Sequence, residues 1–238
     1  MKKCLYLTIA ALMVLAPAHA AALAGFDCVG ALDQERPDSL LTTVEEKYKE
    51  IADISATFFQ ESFLLGLGER VISKGRVTFK KPGMMDWVYE EPEPQRFIAD
   101  GKALWFHQPE LNQVTIGTFK SAFSSDLPVS FLVGVGRLSQ DFELEEACKT
   151  EAGLKLKLRT RAPDPNLEQF YLLVDQQSYI PAGARIVDVG GNETSIIFHN
   201  RKANTGVTES QFRFTVPKGA DVIDQRVREA DLPVGTKK

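Results

Sequence analysis

Apolar and polar residues alternate through most of the chain after about residue 54, and this period of two is typical of β-strands with one buried face. The clearest example is the segment Leu154-Lys155-Leu156-Lys157-Leu158-Arg159, in which leucines take one face and cations take the other. Similar runs, separated by Gly, Pro and Asp, recur as far as the segment from Phe212 to Val216. They predict about eleven strands in an antiparallel meander that curls on itself.

One segment before the strands has helical spacing instead. It follows a possible N-cap at Asp38 or Ser39 and predicts an amphipathic helix of about three turns. Its apolar positions are Leu41, Val44, Tyr48 and Ile51.

A second interruption is the apolar segment from Phe119 to Leu138, which contains Phe131 and Leu132. Pro128 suits the first turn of a helix, and the glycines after Val133 can end one, so we predict two short helices here. Short apolar helices need a surface to cover. They can close a cavity against a concave sheet or plug a fully packed core, and composition alone does not separate these two arrangements.

The first residues have the features of an export signal. Two lysines precede an apolar run from Cys4 to Ala16, and Ala18-His19-Ala20 then provides a small-x-small cleavage pattern. We expect residues 1–24 to be a signal peptide, cut after residue 20 or 24, and residues 25–238 to form a single domain. The predicted location is the periplasm.

Removal of the signal peptide changes the number of cysteines and the net charge of the chain. Loss of the signal leaves Cys28 and Cys148, and an oxidising compartment favours a disulfide between them, with two buried free thiols as the alternative. Loss of Lys2 and Lys3 changes the formal net charge from −4 to −6. An acidic chain of this kind gives no reason to expect nucleic acid as a partner.

Candidate catalytic groups are few. The mature chain keeps His107 and His199, and neither has acid, base or nucleophile partners at motif spacing. We find no metal-binding pattern, nucleophile elbow or phosphate loop in the sequence, and Gly66-Leu67-Gly68 and Gly190-Gly191-Asn192 are interpreted as hairpin turns. The sequence therefore predicts a protein without enzymatic activity, metal or cofactor.

Four stretches carry a resemblance to a known family. They are residues 75–89, from Gly75-Arg76-Val77-Thr78-Phe79 to Asp86-Trp87-Val88-Tyr89; residues 97–106, with Asp100-Gly101-Lys102-Ala103-Leu104-Trp105; Gln113-Val114; and residues 212–224, with Phe214-Thr215-Val216-Pro217-Lys218-Gly219. In this order they resemble the LolA family of outer-membrane lipoprotein carriers over about residues 40–226. The resemblance implies an incomplete, half-open antiparallel β-barrel covered by a lid of short helices.

The resemblance also implies a function and partners. Carriers of this family take acylated lipoproteins from an inner-membrane ABC-type release complex, shield the acyl chains, and deliver them to an outer-membrane acceptor. A monomeric carrier without a cofactor is expected. The alternative is a periplasmic binding or sensing protein for another lipid or amphiphile on the same fold.

Site residues follow from the inward face that the resemblance implies. Lys81 stands where the family usually has an arginine that bonds the lid helices, and a flexible lysine with three donors is expected to hold the lid less firmly than a planar guanidinium. The residues expected to line the lipid-binding cavity are Val77, Phe79, Met85, Trp87, Phe131, Leu132, Leu154, Leu156 and Leu158.

Overall fold

The computed structural model describes residues 25–32, 37–118, 127–134 and 136–226. The predicted signal peptide, residues 119–126 of the apolar segment and the residues after 226 lie outside this part of the chain.

The described residues form a single curled sheet of thirteen strands, not the eleven predicted. Its order is β1-β8-β9-β10-β11-β12-β2-β3-β4-β5-β6-β7-β13, and all neighbours are antiparallel except the parallel pair β7 and β13. The strands are β1 Gly30–Ala31, β2 Asp53–Leu64, β3 Glu69–Lys80, β4 Met84–Glu91, β5 Gln95–Asp100, β6 Ala103–Gln108, β7 Gln113–Thr118, β8 Phe142–Lys149, β9 Leu154–Thr160, β10 Leu167–Val174, β11 Pro181–Asp188, β12 Glu193–Ala203 and β13 Asp221–Asp224.

The sheet does not close on itself within the described residues, because β1 and β13 are its two edges. This confirms the prediction of a half-open β-barrel. Alternation gives the sheet two faces: Val77 and Phe79 lie on the inner, concave face, whereas Thr78 lies on the outer face. The predicted hairpin turns at residues 66–68 and 190–192 connect β2 to β3 and β11 to β12.

Three α-helices are found among the described residues: α1 Pro37–Lys49, α2 Leu127–Leu132 and α3 Leu138–Asp141. Helix α1 begins at Pro37, before the predicted cap, because proline is well suited to the first turn of a helix. Helix α3 was missed because its four residues are too few for a periodic pattern. No helix in the described ranges has the length and apolar character needed to cross a membrane.

The predicted strand from Phe212 to Val216 is wrong. A 3₁₀ helix, Glu209–Phe212, is followed by extended backbone that pairs with no strand, although burial still alternates along it. Phe212 is completely buried, and the ring of Phe214 lies 6.2 Å from that of Trp105 on the outer face. The apolar alternation therefore reflects packing of this segment onto the sheet and not pairing within it. The strand β13 follows, and it was missed because all four of its residues are exposed.

The outer face is also covered by the N-terminal segment. Phe26 is buried against Leu173, Ala182 and Ile197. A disulfide joins Cys28 to Cys148 of β8, which confirms the bridge and excludes the free-thiol alternative. The segments around Phe26 and Phe212 thus pack on the outer face, and the helices cover the inner one.

Candidate functional site

The floor of the site is the part of the inner face formed by β3 and β4. Val77 is directly opposite Trp87, and Phe79 is directly opposite Met85. Strand β9 supplies the second wall, where Leu156 is opposite Leu172 of β10. The ninth predicted cavity residue, Trp87, is partly buried against a buried apolar cluster that contains the other eight. These eight are Val77, Phe79, Met85, Phe131, Leu132, Leu154, Leu156 and Leu158.

The lid consists of α1 and α2, which place their apolar residues in the same cluster. Tyr48 of α1 and Phe131 of α2 pack with ring centroids 4.8 Å apart. The hydroxyl of Tyr48 donates a hydrogen bond to the carbonyl of Leu132 at 2.5 Å, and burial raises the pKa of this hydroxyl, so it stays protonated. The buried apolar residues of the lid are Leu40, Leu41, Val44, Tyr48, Phe131, Leu132 and Val133.

Lys81 lies where the lid meets the floor. Its Nζ donates a hydrogen bond to the carbonyl of Tyr48 in the last turn of α1 and lies 3.5 Å from the centroid of the Tyr48 ring. A cation here also interacts favourably with the C-terminal end of the helix dipole. Gly134 has φ 76°, and a Cβ there would be 2.5 Å from Cγ of Lys81, so a glycine leaves room for the lysine stem.

Burial lowers the pKa of Lys81 to about 8. Within the described residues no carboxylate forms a salt bridge with this ammonium group, which is therefore held by a carbonyl and an aromatic ring. A second polar contact at the same end joins the N–H of Gly83 to the carbonyl of Val133 at 2.9 Å.

One turn before Tyr48, helix α1 is joined to α3 by a buried carboxylate that the sequence did not suggest. Glu45 of α1 accepts hydrogen bonds from the N–H of Ser139 at 3.1 Å and from its hydroxyl at 2.6 Å, and it pairs with Lys49 at 2.8 Å. Burial by itself raises the pKa of Glu45, but the bonds from Lys49 and Ser139 outweigh it and hold the pKa below its usual value. Helices α1 and α3 are thus linked through one ionised group.

Among the described residues, side chains of the lid pack directly against the floor. A residual cavity of about 10 Å³ has room for about one water molecule. It is lined by apolar residues and Tyr48, among them Ile54, Val77, Phe79, Leu132 and Phe198. The described part of the lid therefore covers Val77 and Phe79 of the floor.

Beyond the lid, the inner face continues into an open pocket of about 430 Å³. We call it the open-end pocket, and its lining combines aromatic, aliphatic and uncharged polar side chains with one carboxylate: Gln60, Ser62, Val71, Ser73, Tyr89, Pro92, Glu93, Gln95 and Phe97. The hydroxyl of Tyr89 donates to Gln60 at 3.0 Å. This pocket was not predicted, since its residues are spread over four strands and carry no motif.

The two histidines lie apart from this site. His107 is on the outer face, 5.5 Å from the ring of Phe214, and burial followed by the charge of Arg96 lowers its pKa. His199 is exposed and pairs with Thr57 in the sheet. In the part of the chain that the structure describes, no cluster of His, Cys, Asp or Glu has the arrangement of a metal site.

Fold and site together define a class of protein: an open, curled antiparallel sheet whose apolar concave face is covered by short helices. The family model described as "Outer membrane lipoprotein carrier protein LolA" matches residues 49–215, and the chain belongs to this family.

Individual relatives agree with the family assignment. The chain is 30% identical to an outer-membrane lipoprotein carrier protein of Pseudomonas entomophila (strain L48), over 83% of this chain and 92% of the relative. It is 29% identical to an outer-membrane lipoprotein carrier protein of Pseudomonas putida (strain W619), over 92% of this chain and 95% of the relative. Among solved structures, an uncharacterized conserved protein of Thermus thermophilus has a similar fold, with a TM-score of 0.51 and 18% identity over 80% of this chain and 100% of that one.

Proposed function

We propose that this protein is a periplasmic carrier that binds the acyl chains of lipoproteins between the inner face and the lid. The observation that carries the proposal is an apolar floor whose buried residues form one cluster with the apolar residues of the lid. The relatives named above are called outer-membrane lipoprotein carrier proteins, which supports the same cargo here.

The physical need for such a carrier is large. Burial of one methylene group is worth about 0.8 kcal/mol, so a sixteen-carbon chain resists transfer into water by on the order of 12 kcal/mol. An acylated protein therefore does not diffuse freely across an aqueous compartment. The carrier must offer apolar surface that replaces most of this burial during transit.

The closed lid limits how tightly the cargo is held. Because Phe131 and Leu132 of the lid pack in one cluster with Val77 and Phe79, an acyl chain must displace the lid before it contacts these floor residues. The apolar contact that the lid gives up is subtracted from the binding free energy. A carrier built in this way binds acyl chains strongly enough to transport them and weakly enough to release them.

We propose that Lys81 is the latch of this lid, since its bond to Tyr48 joins the end of α1 to the end of β3. The nine predicted cavity residues are proposed as the surface that contacts the acyl chains. The function requires binding and no chemistry, so we propose a protein that is not an enzyme and uses no cofactor.

The proposed route runs from an inner-membrane ABC-type release complex to an outer-membrane acceptor, with the carrier as a monomer. The disulfide between Cys28 and Cys148 supports a location in an oxidising compartment such as the periplasm. The signal peptide expected at residues 1–24 supports the same location.

Native mass spectrometry of the mature protein tests the proposal. The protein is co-expressed with an acylated lipoprotein or with the same lipoprotein lacking its lipidated cysteine. We expect a one-to-one complex only with the acylated form. Recovery of a small bound lipid without lipoprotein would favour the alternative of a lipid-sensing or amphiphile-binding protein, and capture of both forms would contradict acyl-chain recognition.

A pair of leucine variants sharpens this test. Leu132→Gln places a polar amide in the buried lid, whereas Leu111→Gln changes a side chain that is 65% exposed in the turn after β6. We expect the first variant to lose the complex and the second to keep it. Equal capture by both variants would show that the lid is not part of the binding surface.

A further inference from the structure

One wall of the open-end pocket is held in place by hydrogen bonds within the protein. The Tyr89 hydroxyl donates to Gln60 at 3.0 Å, and the Gln60 amide donates to Ser62 at 3.2 Å. The hydroxyl oxygens of Ser62 and Thr194 are also 3.2 Å apart. This chain of contacts links β4, β2 and β12, so the polar wall keeps its arrangement without a ligand.

Ser73 faces the same pocket, but its hydroxyl is unpaired. The residue lies opposite Gln60 in the sheet and lines the pocket. It is 8% exposed, and within the described residues its hydroxyl forms no hydrogen bond. A hydroxyl that is buried to this extent normally has a partner. The partner of Ser73 must therefore come from the pocket.

The rest of the lining indicates which ligands fit. Gln95 at the start of β5 and Glu93 in the turn before it also have side chains without a partner among the described residues. Hydroxyl and amide groups both donate and accept hydrogen bonds, whereas a carboxylate only accepts. The pocket therefore suits a neutral or cationic ligand that has both donors and acceptors.

Anions are disfavoured for a second reason. The cations on β3 and β5 near the pocket lie on the outer face and pair with other carboxylates: Arg70 with Glu61, Lys74 with Glu91, Arg76 with Glu90 and Arg96 with Asp86. A phosphate or carboxylate in the pocket would therefore face Glu93 without a compensating cation from these strands.

The pocket continues the apolar floor along β3. Ser73 lies four residues before Val77, and this even separation puts both side chains on the inner face. At about 3.3 Å per residue, the two positions are about 13 Å apart. A cargo whose acyl chains lie on the floor would therefore place the groups attached to those chains at the pocket.

We propose that the open-end pocket binds the polypeptide of the cargo next to its lipidated cysteine, and that it selects a segment that is uncharged or cationic. This inference rests on the proposed carrier function. Each peptide group supplies one donor and one acceptor, which Ser73 and Gln95 can satisfy. The volume of about 430 Å³ is in the range of ligand sites, so the pocket holds a few residues and leaves the rest of the lipoprotein outside.

Three synthetic ligands, all ending in an amide, test the pocket in the mature protein. One is a cysteine that carries ester-linked acyl chains, and two are lipopeptides that extend it by Ser-Asn-Ser-Asn or by Ser-Asp-Ser-Asp. We expect the uncharged lipopeptide to bind about fivefold more tightly than the lipidated cysteine, the effect of about one net hydrogen bond. The acidic lipopeptide should lose this gain. In Glu93→Gln it should regain about twofold, because an exposed carboxylate contributes little.

A pair of serine variants separates the pocket from the fold. Ser73→Ala should remove most of the gain from the uncharged peptide and leave the affinity for the lipidated cysteine unchanged. Ser55, on the outer face, has its hydroxyl 3.2 Å from that of Thr78, so Ser55→Ala should leave all three affinities unchanged. The melting temperature of Ser73→Ala should not fall below that of the parent. A fall would mean that the hydroxyl bonds within the protein, and it would overturn the inference.

The outcomes distinguish this inference from the carrier function. If none of the three ligands binds, the carrier function fails. If the lipidated cysteine binds as tightly as the uncharged lipopeptide, or if Ser73→Ala weakens all three ligands equally, only the role of the pocket fails. Tighter binding of the acidic lipopeptide would contradict the selection by charge, and tighter binding of a glycolipid with the same acyl chains would assign the pocket to a sugar and overturn the inference.

Discussion

The two faces of the sheet both carry covering segments, but the segments are attached in different ways. On the outer face, a disulfide attaches the covering segment near the N-terminus. Asp53 binds the other covering segment, which leads to Phe212. The inner face is covered by helices joined through Lys81, Gly83 and Glu45. The comparison indicates that the outer cover is structural, and we propose that the inner cover is made to move.

Asp53 shows how firmly the outer cover is attached. This residue is 3% exposed. Its carboxylate accepts hydrogen bonds from the N–H and hydroxyl of Thr205, at 2.8 and 2.9 Å, and from the N–H groups of Gly206 and Val207, at 3.0 and 3.3 Å. Burial alone raises the pKa of Asp53, but these bonds outweigh it and hold the pKa below its usual value.

Removing the disulfide should have the largest effect. The bridge spans 120 residues, and in the chain-entropy model a loop of that length stabilises the fold by about 4 to 5 kcal/mol. We expect Cys28→Ser with Cys148→Ser to lower the free energy of unfolding in urea by about that amount. Because the bridge lies on the outer face, lipopeptide affinity at low denaturant should stay within about twofold. A loss of affinity in protein that remains folded would mean that the two covers are coupled.

Asp53→Asn should have a smaller effect on the same side of the sheet. One carboxylate oxygen becomes an amide nitrogen that cannot accept, so we expect a loss of about 2 kcal/mol of stability at neutral pH. Since the folded pKa of Asp53 is lowered, its contribution is present above the unfolded pKa and is lost as pH falls through the folded value. The variant should therefore lose less stability than the parent between pH 5 and pH 3. Parallel acid-unfolding curves would contradict the role of Asp53.

The smallest effect is expected at the inner cover. With the lid open, Lys81 should return toward its usual pKa of 10.5, while burial lowers it to about 8 in the closed state. Between these values the open state binds more protons, so closure becomes more favourable as pH rises, by at most about tenfold per pH unit for one proton. Hydrogen exchange of α1, corrected for the intrinsic pH dependence of amide exchange, should show this trend.

Lys81→Arg is the matched control, because a guanidinium does not titrate in this range. We expect the corrected lid opening of this variant to be independent of pH and lower than that of the parent at neutral pH, since a planar fork holds carbonyls more firmly. If hydrogen exchange of the lid and lipid affinity were both unchanged in Lys81→Arg, the proposed role of Lys81 as the latch would be contradicted.

Much of the fold could be predicted, because alternation reports a buried face wherever a strand pairs. Alternation gave a wrong prediction from Phe212 to Val216, because these residues alternate in burial while they pack on the outer face and do not pair as a strand. The floor residues Val77 and Phe79 were identifiable from alternation and from the family motif. Glu45 was not, because its role depends on Ser139 being brought close by the fold.

Hydrogen exchange of the mature protein with and without a bound ester-linked lipopeptide tests the central claim, that only the inner cover moves. We predict faster exchange on binding in α1 and in residues 127–134, and unchanged exchange in residues 25–32 and 205–217. Protection of the lid that is unchanged by cargo, or faster exchange of the outer segments, would contradict the account.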